Sequence, residues 1–137
     1  MSATIAGLSG PEGLGMRLVL LAITAIVIGG TAFAQTVDQG VEAFRKGDYA
    51  GAVAAWRPAA EAGDPDAQLK LSMAYQEGIG VEKDTARAVS WIRKSAEQGW
   101  KDAQAQLGAR YLDGDGVAQD YAQALVWSQR ATDQGIV

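Results

Sequence analysis

Gly63, Gly99 and Gly135 stand 36 residues apart, and so do Asp48, Asp84 and Asp120. Between them, Asp66-Ala67-Gln68, Leu71, Tyr75, Gly78, Gly80 and Val81 return as Asp102-Ala103-Gln104, Leu107, Tyr111, Gly114, Gly116 and Val117. A fixed period of this length marks stacked supersecondary units, none of which can bury its apolar face alone. Such an array offers an extended surface rather than an enclosed catalytic pocket.

The front of the chain is different. After Met16-Arg17 comes an apolar stretch from Leu18 to Ile28, then Gly29-Gly30-Thr31 and Ala32-Phe33-Ala34. A cation, a short apolar core and a small-x-small tripeptide are the parts of a secretory signal peptide, with cleavage expected between Ala34 and Gln35. The apolar run is short for a membrane span, which takes about 20 residues. An uncleaved anchor over residues 18–34 is the alternative. Residues 1–15 hold no Lys or Arg, so Met16 is a candidate for the true start. The expected domains are a signal peptide, 1–34, and a helical-repeat domain, 35–137, with units at about 37–63, 64–99 and 100–135.

Composition narrows the chemistry. The 16 acidic and 12 basic residues are interspersed, with no basic stripe to gather phosphates, so nucleic-acid binding has no electrostatic support. The chain has no Cys and no His, which removes the usual zinc and haem ligands and the commonest general base. The expectation is no enzyme, no metal and no cofactor.

Each unit reads as two helices. Ala67, Leu71, Ala74 and Tyr75 share a helical face, as do Ala88, Trp91, Ile92 and Ser95 in the next segment. Helices are expected at about 67–77 and 84–98, and one period later at about 103–113 and 120–134. A weaker first copy spans 37–46 and 49–62, with Pro58 expected to kink the helix or remove a bond. Gly63, Gly99 and Gly135 suit left-handed C-caps. Asp84 and Asp120 suit N-caps, and Pro65 suits a first turn. The fold class is all-α, an α-solenoid of antiparallel helix pairs.

Ala103-Gln104, Leu107-Gly108, Tyr111, Gly114-Asp115-Gly116-Val117, Asp120-Tyr121, Ala124, Trp127, Ala131 and Gly135 closely resemble the Sel-1-like repeat family, a subclass of tetratricopeptide-type helical repeats. The central copy departs at Ser72, where the family has Gly, and at Thr85, where it favours an aromatic. The resemblance implies an adaptor that binds a protein or peptide in envelope, signalling or secretion complexes, exported to the periplasm. Some exported relatives are described as β-lactamase-like, but those are cysteine-rich and this chain has no Cys.

Most eye-catching residues then have structural readings. Asp113-Gly114-Asp115-Gly116 opens like a calcium loop, but Val117 replaces the next oxygen ligand and no Glu closes the loop. Trp56, Trp91, Trp127, Tyr75 and Tyr111 read as periodic core, and off-period Trp100 as partly exposed. By the tetratricopeptide pattern, the first helix of each unit lines a concave groove. Carried onto this chain, the groove positions are Val41, Phe44, Arg45, Leu69, Met73, Gln76, Glu77, Ala105, Ala109, Leu112 and Asp113. That strip is apolar at its centre and acidic at one edge, which suits an extended peptide or a partner helix. The face of the last helix, including some of Val126, Trp127 and Arg130, is expected to be open to self-association.

Overall fold

A computed structural model of the chain describes residues 34–135. The signal-peptide core, Met16 and the candidate anchor up to residue 33 lie outside the described residues. Six helices follow one another: α1 (34–45), α2 (Tyr49–Glu61), α3 (Pro65–Glu77), α4 (Thr85–Glu97), α5 (Lys101–Asp113) and α6 (Tyr121–Asp133). No strand occurs among the described residues.

The helix ends show why the punctuation recurs. Asp48, Asp84 and Asp120 each accept a hydrogen bond from the backbone N–H three residues on, at 2.9, 2.9 and 3.0 Å. This satisfies one of the orphan donors of α2, α4 and α6. Asp64 does the same for α3, accepting from Ala67 N at 2.8 Å, with Pro65 in the first turn. Trp100 occupies the matching position before α5 and makes no side-chain cap. Gly78 and Gly114 end α3 and α5 at φ of 68° and 71°, a left-handed conformation that a side chain would strain. Pro58 lies inside α2, which continues unbroken to Glu61. Its ring removes one donor, while its own carbonyl still accepts from Ala62 N.

Each helix packs on the next along the chain, and the apolar faces form two successive cores. The first joins α1, α2 and α3 through Val37, Val53, Trp56, Ala59 and Leu71. The second joins α4, α5 and α6 through Val89, Ile92, Leu107, Tyr111 and Trp127. Trp56 is not the counterpart of Trp91 and Trp127: it stands one period before Ile92. It faces back to α1, where its Nε1 donates to Val37 O at 3.2 Å and its ring leaves Gly40 no room for a Cβ.

Buried glutamines tie the units together. Gln68 Nε2 donates to Ala60 O at 3.1 Å, and its Oε1 accepts from Gln98 Nε2 at 2.9 Å. One period on, Gln104 Nε2 donates to Ala96 O at 3.1 Å and Gln104 Oε1 accepts from Gln134 Nε2 at 2.7 Å. Each rung adds a second unit's donor to a last-turn carbonyl, which also accepts from Gly63 N at 3.1 Å in one case and Gly99 N at 3.0 Å in the other. This is the physical reason for the repeated Ala-Gln.

Candidate functional site: the strip along α1, α3 and α5

The first helices of the three units supply the strip, and small or flexible residues on them leave room above the core. A hollow of about 270 Å³ opens between α1 and α3. Val41, Phe44, Met73, Ala74 and Ile79 line it, with Trp56 also contributing. Arg45, Lys70 and Glu77 bring charge to its edge. Met73 is 57% exposed at the mouth of this hollow. Phe44 stands between Tyr49 and Trp56, with ring centroids 5.0 and 6.0 Å away.

A second, smaller hollow of about 110 Å³ lies between α3 and α5 and shares Met73 and Glu77 with the first. Gln76, Gln106 and Arg110 give it a more polar lining. Arg110 pairs with Asp115, and Gln76 Nε2 donates to the same carboxylate at 3.3 Å. Asp115 is therefore engaged inside the turn between two left-handed glycines. Lys70 pairs with Asp66 at 3.2 Å, whereas Arg45 and Glu77 make no ion pair among the described residues.

The expected strip thus divides. Val41, Phe44, Arg45, Met73 and Glu77 meet around one hollow, and Gln76 joins the last two around the next. Ala105, Ala109 and Leu112 instead line a third hollow of about 520 Å³ against α6, with Gly108, Tyr121, Leu125 and Ser128. Leu69 packs against the second core, and Asp113 is exposed beside none of these hollows. Lys70 and Ile79 were not expected at the site; Lys70 lies one turn before Met73 on the same face of α3, and Ile79 reaches the hollow from the turn after the helix. Ala34 and Gln35 are exposed in the first turn of α1.

Of the three residues expected on the open face of α6, Val126 and Arg130 are exposed and Trp127 is not. Trp127 is buried, with the Arg130 guanidinium 4.6 Å over its ring. The large apolar residues left open on α6 are Tyr121 and Leu125, 67% and 68% exposed, together with Val126. The period explains this: Trp127 repeats Trp91, which faces the preceding core, whereas Leu125 repeats Val89, which faces the following unit. Trp100 is 40% exposed, as its off-period position suggests.

Known proteins share this architecture. The Sel1 repeat profile matches residues 65–100 and 101–136, and the chain belongs to that family of helical repeats. A protective antigen of uropathogenic Escherichia coli strains, displaying an SLR fold, is 37% identical with a TM-score of 0.73, over 76% of this chain and 23% of that one. A Sel1 repeat protein from Oxalobacter formigenes is also 37% identical, with a TM-score of 0.63 over 65% of this chain and 26% of that one. The chain therefore spans about a quarter of the length of either. Cysteine-rich protein B of Helicobacter pylori, 19% identical over 76% of this chain and 89% of its own, shares the fold with a TM-score of 0.61. No curated protein matches the chain. Sel1 repeat proteins are typically protein-interaction scaffolds.

Proposed function

We propose that the protein is an exported, non-catalytic adaptor of the periplasm or cell envelope that holds a segment of a partner protein along α1 and α3. The hollow beside Met73 carries this reading. It is apolar at its floor, open to solvent and edged by Arg45, Lys70 and Glu77. Such a site takes one bulky apolar side chain of an extended or helical segment and orients it by charge at the rim. The apolar run at 18–28, followed by Ala32-Phe33-Ala34, supports export. Site-specific photocrosslinking in the exporting cell tests the reading. A crosslinker at Met73 should yield a defined adduct, and one at Ser90, on the exposed side of α4, should not. Equal labelling from both positions, or none from Met73, would defeat it.

The face of α6 favours a second reading, self-association. Tyr121 and Leu125 flank a floor of Ala105, Gly108 and Ala109, and the strip bears no charge. One period earlier, Thr85 and Val89 are covered by the third unit, where Gly116 meets the Thr85 carbonyl. A second copy, placed by a two-fold axis, covers this uncharged strip without burying like charges. Sedimentation equilibrium should show a dimer that Leu125→Lys disperses. A protein that stays monomeric at high concentration excludes it.

A further inference from the structure

The phenol oxygens of Tyr75 and Tyr111, one period apart, each accept from an arginine of the preceding unit. The donors are Arg57 Nη2 at 3.3 Å and Arg93 Nη2 at 2.7 Å. The next position breaks the period, because α4 carries Arg87 where α6 carries Gln123. Arg87 Nη1 also donates to Tyr75 Oη, at 3.4 Å, with its guanidinium 5.2 Å over the ring. Stacking does not require this second cation, since the Tyr111 junction closes without one.

Two guanidiniums therefore share one neutral oxygen. Arg57 has no carboxylate within ion-pair reach among the described residues. Arg87 pairs only loosely with Asp84, Nε to Oδ2 at 3.7 Å, and the other oxygen of that carboxylate caps α4. A phenol oxygen that accepts two hydrogen bonds keeps its own O–H free to donate. Together with Lys83, these groups border a recess of about 450 Å³, also flanked by Glu82 and Asp84. Its donors outnumber its acceptors, and none of its lining residues borders the hollow beside Met73.

We propose that the Arg57–Tyr75–Arg87 recess binds a carboxylate, supplied by a small acid or by an acidic residue of a partner chain. Paired guanidiniums match the planar, bidentate geometry of a carboxylate, and the phenol O–H adds a third donor. Glu82 and Asp84 at the edge favour a monoanion over a phosphate dianion. The site is independent of the adaptor reading and stands or falls separately.

The test is a titration of isotope-labelled protein with acetate, chloride being removed to hold ionic strength constant. The Arg57 and Arg87 Nε–H and Tyr75 ring signals should shift together and saturate. Arg87→Gln, which recreates the arrangement already present at Tyr111, should fold and weaken binding about tenfold, the equivalent of one charge-assisted hydrogen bond. Gln123→Arg should install a second site beside Tyr111. A short acidic peptide that binds more tightly than acetate at equal carboxylate concentration assigns the ligand to a partner chain, and equal binding assigns it to a small acid. Shifts that never saturate, or that survive Arg87→Gln unchanged, overturn the proposal. Inorganic phosphate acting at lower concentration than acetate overturns the choice of carboxylate.

Discussion

Tyr75 of α3 sits between Arg57 of α2 and Arg87 of α4; Tyr111 of α5 meets Arg93 of α4, and the position on α6 that matches Arg87 holds Gln123. Both junctions share a tyrosine hydroxyl tied to the preceding unit, a glutamine rung and an aspartate whose N–H donates to the tyrosine carbonyl at 2.9 Å. The shared parts close the stack. The extra arginine does not, and the difference separates what the repeat needs from what this chain has added. A second contrast runs along the same axis: the trailing face of the middle unit is covered, while that of the last described unit presents Tyr121 and Leu125.

The largest test of that contrast concerns packing. Leu71 and Leu107 are equivalent and fully buried. Truncating either to Ala should cost about 2–5 kcal/mol, with the larger loss at Leu71 because covered neighbours on both sides limit collapse into the void. Chemical denaturation of the two variants measures this. An equal or greater loss at Leu107 would show that the trailing unit is packed as firmly as the middle one.

A smaller effect is expected at the helix starts. Asp64 caps α3 and Trp100 leaves α5 uncapped, so Asp64→Ala should cost and Trp100→Asp should gain about 1 kcal/mol each. A Trp100→Asp protein that melts earlier would mean that the half-exposed indole contributes more by packing than a cap can replace.

The smallest effect is spectroscopic. The hydrogen bond from Arg87 holds the Tyr75 hydroxyl below the ordinary tyrosine value; burial opposes this, and Arg57 reinforces it. Because the folded chain releases this proton before the unfolded one, the contribution to stability appears only as pH rises through the lowered value, and at neutral pH there is none. Ultraviolet titration should show an early tyrosine component that Arg87→Gln moves upward. No movement would remove the electrostatic difference between the junctions.

The fold was legible because glycine at positive φ and aspartate at an N-cap each do one local job that few residues can replace. Gly63 and Asp84 announce helix stops and starts from their spacing alone, whereas the rungs of Gln68 and Gln104 emerge only from the packed helices. The strip was less legible. Neighbouring positions on one helix face diverge in fate: Leu69 packs, half-buried, against the second core while Met73 stays open, and Ala109 turns toward α6. The Arg57–Tyr75–Arg87 cluster was invisible for another reason. Its members come from three helices, and long side chains meet wherever the packed backbone lets them. The signal that would have found it is the period itself, read for its exception at Arg87 and Gln123.

The glutamine rungs have a consequence for how such chains lengthen. Gln68 and Gln104 reach back to the preceding unit by the same bonds, so a copied stretch of 36 residues arrives with its own fastening and meets a face already shaped for it. Insertion at a unit boundary asks for no new interface. The number of units is then a quantity that gene duplication can change in whole steps, leaving exceptions such as Arg87 to distinguish one copy from the next.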